Sequence, residues 1–573
     1  MILRIDGNEI APRPDETLLE IIKELGLDSD SLKARPLAAD IAGEVFTLNY
    51  VPVRSTDERP AAPTTFAMRR AIRRSRGDIK LIRYAESRGK AVYERTLLFV
   101  FFLAVRSLWP DAEVKVKHAI GAGLYITIKK DSPLTAEDVE LLHSECGRTV
   151  NADYVLERKR LDIDEAIELF ERDGQEDKVR LLKWRRFTYF DIYRHGDYAD
   201  YFYGEMCPST GYVRVFDLQF HDDGLLLLRP DNSDYDMPAP HVDSPKFFAV
   251  FHESDRWGEL MSCTCIADLN DLVASGEIRE LIRVNEALHE KRFAELANEV
   301  SARNAKVLLI AGPSSSGKTT SANRMATQLR VLAKKPILLS LDDYYLDRSL
   351  VQPEPDGSFD FEHIKMIDVQ GFNRDLEAML KGETVEIPNF NFKTGQREML
   401  GHYVHMDDNS ILIIEGLHAL NPALLTPSID HGSVFRLFVS ALTTLNYDDH
   451  NRIPTAEVRL LRRMVRDFET RGSSPERTLN MWASVRAGEE RWIFPYQEGA
   501  DAILNTALVY ELAVLKKHIF PILETVSPEN PCYWETISII KFLNYVQDAA
   551  VEDEIPPTSI LREFVGGNAF YRS

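Results

Sequence analysis

Residues 305–320 join a short apolar run to a glycine-rich loop: Ala305-Lys306-Val307-Leu308-Leu309-Ile310-Ala311 is followed by Gly312-Pro313-Ser314-Ser315-Ser316-Gly317-Lys318-Thr319-Thr320. The apolar run has the length of a strand buried in a parallel sheet. The loop has the G-x-x-x-x-G-K-[ST] spacing of phosphate-binding loops, which lie between a strand and a helix. The sequence therefore predicts a nucleotide-binding α/β domain.

The residue types in this loop suit phosphate binding. Glycines allow a turn tight enough for consecutive backbone N–H groups to face phosphate oxygens, and the helix that follows presents its positive end. Lys318 can neutralise the β- and γ-phosphates, and the Thr319 hydroxyl can bind Mg²⁺. The predicted nucleotide-binding residues are Gly312, Pro313, Ser314, Ser315, Ser316, Gly317, Lys318, Thr319 and Thr320.

Four later segments also have the character of buried strands: 336–341, 410–415, 435–439 and 501–505. The first of them runs into Asp342, and the second ends in Glu415. Because the carboxyl ends of parallel strands border the ligand crevice of an open α/β sheet, both acids are candidate site residues. Glu415 stands where a carboxylate would orient magnesium or its waters.

An arginine-rich helical stretch lies between the last two strands and contains Arg459, Arg462, Arg463, Arg466 and Arg471. One interpretation is a solvated charged face, with Asp467 and Glu469 pairing the arginines. The other is a mobile cationic lid that closes over a triphosphate, excludes water and stabilises the transferring charge. The upstream phosphate loop favours the lid.

The chain of 573 residues is too long for one hydrophobic core, and its length predicts about four domains, or three with elaborate connections. Its 69 Lys+Arg and 90 Asp+Glu give a net charge of −21. That excess of acid argues against non-specific nucleic-acid binding as the main activity, because such binding needs cations that displace counterions. The net negative charge is still compatible with one local basic patch.

Cysteine usage and hydropathy point to the cytoplasm. The five cysteines are an odd number at scattered positions, which fits a reducing compartment and no disulfide framework. The amino terminus lacks the pattern of a secretory signal, and the longest apolar run, 97–105, is about half of a membrane span. We therefore expect a cytoplasmic protein with no membrane contact.

Composition and motif positions divide the chain into five regions. We predict a β-rich domain with a ubiquitin-like outline (1–60), an α+β region (61–275), a helical spacer (276–304), the nucleotide-binding domain (305–520) and a helical tail (521–573). Five arginines between residues 69 and 76 form either a solvated helix or linker, or an arm that contacts RNA or phosphate.

The amino-terminal part, to about residue 230, resembles the same part of threonyl-tRNA synthetases. The resemblance rests on Ser107-Leu108-Trp109-Pro110-Asp111-Ala112, Gly123-Leu124-Tyr125 and Thr135-Ala136-Glu137-Asp138-Val139-Glu140. It implies a β-grasp TGS domain followed by a synthetase editing domain.

The editing motifs of that family are incomplete in this chain. The two histidine positions ahead of Trp109 hold Phe99 and Leu103, and the later Cys-x-x-x-His appears as Cys207 followed by Gly211. A metal or hydrolytic site needs side chains with lone pairs, which Phe, Leu and Gly lack. We therefore predict a scaffold without an editing site, with Cys207 as a small buried residue.

Residues 305–520 resemble the uridine kinase and phosphoribulokinase family of P-loop kinases. Beyond the phosphate loop, the matching positions are Asp342, Tyr345, Phe359-Asp360, the segment Ile387-Pro388-Asn389-Phe390-Asn391-Phe392 closing at Arg397, Glu415-Gly416, Arg462-Arg463-Met464-Val465-Arg466-Asp467 and Arg471-Gly472. The resemblance implies an α/β fold with a parallel sheet and a helical lid, using ATP and Mg²⁺.

The resemblance also implies roles for individual residues. Asp342 would take the proton from the acceptor hydroxyl, and Asp360 would hold the acceptor's ribose hydroxyls. Tyr345, Phe390 and Arg397 would complete the acceptor site. Lys318 with Arg463, Arg466 and Arg471 would clamp the phosphate charge, and Thr319 with Glu415 would organise magnesium.

Two departures bear on the substrate. Uridine kinases carry Tyr-Asp-Phe and then a histidine in the base-framing loop, where this chain has Phe390-Asn391-Phe392 and Gly395; Ser473 replaces a further lid arginine. Polar groups that pair with a substrate discriminate strongly, so their change argues against assuming specificity for a pyrimidine such as uridine. The leading hypothesis is a kinase for a nucleoside or a related sugar-bearing small molecule, whose amino-terminal domains regulate it, form a homo-oligomer or sense a ligand.

Two alternatives stay open. One is a nucleotide-switched RNA-binding or regulatory protein, whose synthetase-like half docks on a tRNA-like partner. Asp342 argues against it, since a switch needs no general base. The other is a phosphoribulokinase-like sugar-phosphate kinase, which shares the fold and the loop.

Overall fold

The computed structural model describes residues 2–53, 71–72, 74–185, 187–350, 362–391 and 394–570. Among these residues, no helix combines the length and the apolar character needed to span a bilayer. All five cysteines are buried free thiols.

The amino-terminal unit is a mixed five-stranded sheet with one helix against it. Its elements are β1 (Leu3–Ile5), β2 (Asn8–Ile10), α1 (Leu18–Glu24), β3 (Ala38–Ile41), β4 (Glu44–Phe46) and β5 (Asp78–Ile82). The strand order is β2-β1-β5-β3-β4, with β5 parallel to β1 and antiparallel to β3. A capping box between Thr17 and Glu20 starts α1, which buries Leu18, Ile21 and Ile22. Because β5 is the central strand, this unit extends past the boundary predicted at residue 60.

The middle unit contains two antiparallel sheets and a central apolar helix. Its elements are α2 (Ser87–Leu108), β6 (Glu113–Ile120), β7 (Gly123–Lys129), α3 (Ala136–Asn151), β8 (Glu157–Asp162), α4 (Ile163–Arg172), α5 (Glu176–Lys183), β9 (Tyr189–His195), β10 (Tyr198–Asp200), β11 (Asp217–His221), β12 (Gly224–Leu228), α6 (Pro245–Leu260) and α7 (Ile266–Ser275). The sheet orders are β11-β12-β7-β6 and β10-β9-β8.

The positions that would carry the editing ligands are closed. The Phe99 side chain is fully buried and packs edge-to-face with Phe202. Cys207 is buried, as predicted. A side chain on Gly211 would lie 2.2 Å from an Asp153 carboxylate oxygen, so a histidine could not stand there without moving Asp153. Phe99 and Gly211 therefore offer no ligand atom at the positions where the resemblance would place one.

The helix α8 (Ile278–Ala302) leads into the carboxy-terminal region. That region contains β13 (Val307–Ala311), α9 (Lys318–Val331), β14 (Lys335–Ser340), α10 (Val369–Leu380), β15 (Val385–Glu386), β16 (Asn389–Asn391), β17 (Gln396–Glu398), β18 (Tyr403–Val404), β19 (Ser410–Glu415), β20 (Val434–Ser440), α11 (Thr455–Arg471), α12 (Pro475–Trp492), β21 (Ala502–Asn505), α13 (Glu511–Leu523), α14 (Tyr533–Leu543) and α15 (Arg562–Val565).

The five predicted strands form one parallel sheet in the order β14-β19-β13-β20-β21. Leu308 and Ile310 pack on one face with α9 and α13, and Val307 and Leu309 pack on the other face with α10. Burial of both faces explains why these strands are continuous apolar runs. The phosphate-loop strand, β13, lies at the centre.

The loop between β20 and α11 docks on the middle unit. The Val116 N–H donates to the Asp449 carbonyl at 2.8 Å, and Asn446 Nδ2 donates to the Val116 carbonyl at 2.8 Å. The His450 ring stacks on Phe102 with centroids 4.0 Å apart, and Tyr447 stacks on Tyr203 at 3.8 Å. Residues 446–452 therefore pack into the middle unit as one of its own core segments would.

A buried charge cluster lies under this loop. Lys178 Nζ is 3.2 Å from Asp200 Oδ1 and 3.7 Å from Asp448 Oδ1, and these three side chains are at most 2% exposed. His450 Nδ1 lies 2.7 Å from Asp200 Oδ2. Burial opposes the charge on Lys178, but Asp200 and Asp448 outweigh it and raise the pKa of the lysine. The cluster holds the two units together, because separating them would leave a buried charge on each side without its partner.

Candidate active site

The phosphate loop has the backbone shape that its sequence predicts. Ser315 and Gly317 have positive φ values of 58° and 85°, which turn the chain into the start of α9. A Cβ on Gly312 would lie 2.0 Å from the Val439 carbonyl oxygen of β20, so the loop can lie this close to the sheet only with glycine there. The loop therefore places its backbone at the carboxyl edge of β13.

Groups suited to a phosphate line this loop. The hydroxyl oxygens of Ser315 and Ser316 are buried and have no hydrogen-bond partner among the described residues. Lys318 Nζ donates to the carbonyls of Gly312 (3.0 Å) and Pro313 (3.2 Å), so its ammonium lies over the loop. These two hydroxyls and the ammonium over a glycine-rich turn are suited to binding the phosphates of a nucleoside triphosphate.

A hard-cation site lies beside the loop. Thr319 Oγ1 donates to Glu415 Oε1 at 3.2 Å, because Glu415 ends β19 and pairs with Ile310 of the central strand. Burial raises the pKa of Glu415 to about 7, although Lys318 opposes the shift. A hydroxyl and a carboxylate are the oxygen ligands that Mg²⁺ accepts alongside substrate phosphates. Thr319 and Glu415 therefore fit the metal predicted for them.

Asp342 follows β14 in the 3-10 turn Leu341–Tyr344, one strand further along the same edge. Burial raises the pKa of its carboxyl group, and the charges of Lys318, Arg471 and Arg466 oppose that rise. These three cations are those expected to clamp phosphate. The structure thus brings Asp342, the loop lysine and two lid arginines into one electrostatic environment.

The three arginines predicted to clamp phosphate are held by a single acid. Arg463 Nε, Arg466 Nη2 and Arg471 Nη1 lie 3.2, 2.9 and 3.5 Å from the Asp467 carboxylate, which is 7% exposed. Arg463 Nη1 also donates to Ser314 Oγ at 2.9 Å, so α11 already contacts the phosphate loop. Asp467 therefore holds the three side chains in place, and the cost of ordering them on binding is reduced.

Arg459 and Arg462 have a different environment from their neighbours. They are 1% and 0% exposed and pair with Glu489 and Glu511 at 2.5 and 2.6 Å. The solvated-face interpretation is wrong for these two residues, because their partners come from α12 and α13. Glu489 also accepts a hydrogen bond from the Ser314 N–H at 3.0 Å, which fixes the loop from behind.

The expected acceptor residues are partly assembled. The rings of Tyr345 and Phe390 are 5.6 Å apart, and Phe390 pairs with Arg397 across β16 and β17. Arg397 Nη1 donates to Asp368 Oδ2 at 2.8 Å, so its charge is already matched inside the protein. Asp360 lies outside the described residues.

Two acids at the site carried no recognisable sequence pattern. Glu489 belongs to a charged stretch of α12, and only its pairing with Arg459 marks it. Burial raises the pKa of Glu362 to about 7; Arg463 and Lys318 oppose the rise, while Glu489 and Asp342 add to it. Glu362 therefore faces the same charges as the predicted catalytic groups.

The raised pKa of Glu362 predicts a pH-dependent stability. Between its ordinary value of 4.5 and about 7, the folded protein holds the proton more tightly than the unfolded chain, so stability falls as pH rises through this window. At pH 8 we expect the free energy of unfolding of Glu362→Gln, measured with urea, to exceed that of wild type by about 2 kcal/mol. This gain in stability should shrink toward pH 4. The exposed Glu383→Gln is the control; a gain of equal size at both pH values would contradict the assignment.

Comparison with known proteins gives different matches for the amino-terminal and the carboxy-terminal parts of the chain. Residues 307–512 match the model of the Phosphoribulokinase / Uridine kinase family. The amino-terminal part is similar to threonine–tRNA ligases, with 29% identity over 218 residues to that of Carboxydothermus hydrogenoformans, covering 38% of this chain and 31% of the ligase. The ligase of Geobacter sp. strain M21 is 34% identical over 115 residues, 20% of this chain and 18% of its own. This chain thus spans less than a third of the length of these relatives.

Two solved structures align with the chain. A putative fructose transport system kinase from Silicibacter sp. TM1040 aligns at 21% identity and a TM-score of 0.28, over 37% of this chain and 98% of its own. A possible uridine kinase from Bacillus stearothermophilus aligns at 19% identity and a TM-score of 0.27, over 38% and 98%.

Proposed function

We propose that this protein is an ATP- and Mg²⁺-dependent kinase that phosphorylates a hydroxyl of a nucleoside or a related sugar-bearing small molecule. The observation that carries the proposal is the position of Asp342. It stands at a strand end beside the Thr319–Glu415 pair, in the field of Lys318, Arg466 and Arg471. A nucleotide switch needs a phosphate loop, but it has no use for a half-buried carboxylate at this place.

The residues support a direct transfer. Asp342 would accept the proton as the acceptor oxygen attacks the γ-phosphorus, and the bond to the ADP oxygen would break. Lys318 with Arg463, Arg466 and Arg471 would balance charge on the transferring group, and most of the rate would come from positioning and electrostatics. Magnesium held by Thr319 and Glu415 would neutralise charge on the β- and γ-phosphates. Burial of Asp342 favours its role, because a raised pKa makes a carboxylate a better base near neutral pH.

The acceptor class is broader than uridine in this proposal. Tyr345 and Phe390 offer aromatic faces on which a ring or a sugar can pack. Arg397 is paired with Asp368, so it offers less to a base than an unpaired arginine would. Asp360 keeps the role that the family resemblance implies. A phosphorylated pentose stays within the proposal as an acceptor.

The amino-terminal units would serve regulation or recognition. The strand order of the first unit and its single packed helix support a β-grasp TGS-like domain. Phe99 and Gly211 support a scaffold role for the middle unit. Its similarity to threonine–tRNA ligases supports testing for RNA contact, although three of the five arginines in the run 69–76 lie outside the described residues.

The proposal is tested by ADP production from Mg-ATP with purified full-length protein and a panel of ribonucleosides, deoxyribonucleosides and pentose phosphates. We expect one class of acceptor to raise ADP release well above the acceptor-free rate. If ATP binds but no acceptor raises ADP release, the nucleotide-switched alternative gains, and salt-sensitive retention of RNA is then measured.

A further inference from the structure

The carboxy-terminal segment 552–565 crosses the phosphate loop. Ile560 is fully buried, and a Cβ on Gly317 would lie 2.8 Å from its Cγ2, so the two residues are in tight contact. Three residues later, Glu563 Oε2 accepts hydrogen bonds from the Thr320 N–H (3.3 Å) and from Thr320 Oγ1 (2.6 Å). The segment thus covers the last glycine of the loop and the first turn of α9.

The Glu563 carboxylate lies at the start of a helix. Thr320 is in the first turn of a helix of 14 residues, where backbone N–H groups have no partner within the helix and the dipole favours negative charge. These are the features that make such a turn a phosphate site. Glu563 also adds to the negative field that raises the pKa of Glu415, so its charge reaches the predicted magnesium site.

Several contacts fix the segment in this position. Glu554, at its start, pairs with Arg279 and Arg283 of α8 at 2.8 and 2.9 Å. Ser559 Oγ donates to Glu286 Oε1 at 2.5 Å, and the Phe564 ring lies 5.2 Å from the guanidinium of Arg462. Arg462 in turn contacts the Ser315 carbonyl at 3.5 Å. These contacts hold the segment against α8 and α11, beside the nucleotide-binding loop.

We propose that residues 559–565 form an autoinhibitory strap, in which Glu563 takes the place of a nucleotide phosphate oxygen and has to withdraw before ATP binds. This inference rests on the proposed function. A carboxylate oxygen and a phosphate oxygen cannot both accept the hydrogen bond of the Thr320 N–H. Their two negative charges would also repel each other at the low dielectric of this site. The strap thus makes ATP affinity depend on how firmly the carboxy-terminal segment is held.

The strap is tested by measuring the Kd of Mg-ATP calorimetrically with the full chain. We expect Glu563→Gln to lower the Kd about tenfold, which corresponds to about 1.4 kcal/mol. Glu552→Gln is the matched control: Glu552 lies on the same segment but pairs with Lys517 and His518, and its Kd should stay at the wild-type value. Glu563→Asp, which withdraws the carboxylate by one methylene, should give an intermediate value and serves if the first variant misfolds.

Hydrogen exchange supplies the second measurement. Saturating Mg-ATP should increase amide exchange in residues 559–565 while slowing exchange in the phosphate loop. An unchanged or weaker ATP affinity in folded Glu563→Gln, or a strap that becomes more protected with ATP, would overturn the strap and leave the proposed kinase intact. Absence of ATP binding in wild type and variants alike would overturn the proposed function, and the strap with it.

Discussion

Asp342→Asn is expected to lower the kcat for acceptor-dependent ADP production about 10²- to 10⁴-fold, the range that a positioned general base contributes. Asparagine keeps the shape of the side chain but cannot take the acceptor proton. Because Asp342 lies at a strand end and not in the phosphate loop, the KM for ATP should stay within about twofold. The loss therefore belongs to the chemical step.

The measurement is steady-state kinetics with the best acceptor, together with the Kd of Mg-ATP for the variant. Asp343→Asn is the matched control, since Asp343 is adjacent but accepts hydrogen bonds from Asn389 Nδ2 and the Phe390 N–H at 3.3 and 3.4 Å. We expect that control to retain most of its kcat. A kcat for Asp342→Asn within about threefold of wild type would remove the general base from the mechanism.

Lys178→Met is expected to destabilise the folded chain by about 3–5 kcal/mol, the cost of leaving buried charges without their partner. Asp200 and Asp448 would face each other and His450 with no ammonium between them. The loss should affect the contact between the middle unit and the carboxy-terminal region first, because both contribute an acid.

Urea unfolding followed by far-UV circular dichroism and by tryptophan fluorescence measures this effect, since a chain of several units need not unfold in one step. The exposed Lys183→Met is the control and should change stability by less than about 0.5 kcal/mol. Adding Asp200→Asn to Lys178→Met should recover part of the loss. A single variant within about 1 kcal/mol of wild type would mean that the cluster contributes little.

Much of the candidate active site could be predicted from the sequence, because each of its parts belongs to a short continuous stretch of chain. The strand β13, the phosphate loop and Thr319 are contiguous, and Asp342 and Glu415 each follow a buried apolar run. Parallel strands bring such ends together at one edge, so spacing along the chain was enough.

The parts that escaped prediction depend on distant contacts. Glu489 is 175 residues from Ser314, and Glu563 is 243 residues from Thr320. Nothing near either acid in the sequence distinguishes it from a solvated glutamate. The split within the lid has the same cause: Arg459 and Arg462 are buried because Glu489 and Glu511 come to them from other helices, which a helical wheel of α11 does not contain.

The docked loop 446–452 also anchors the start of α11. This loop ends three residues before α11 begins at Thr455, so the start of α11 is held against the middle unit. A displacement of α2, which carries Phe102 against His450, would be passed to α11 as a change in its resting angle. Residues 305–520 expressed alone would lack these contacts ahead of α11 and would expose the stacked face of Tyr447. The boundary that the sequence predicts at residue 305 is therefore not a boundary between separate packing units, because residues 446–452 pack inside the middle unit.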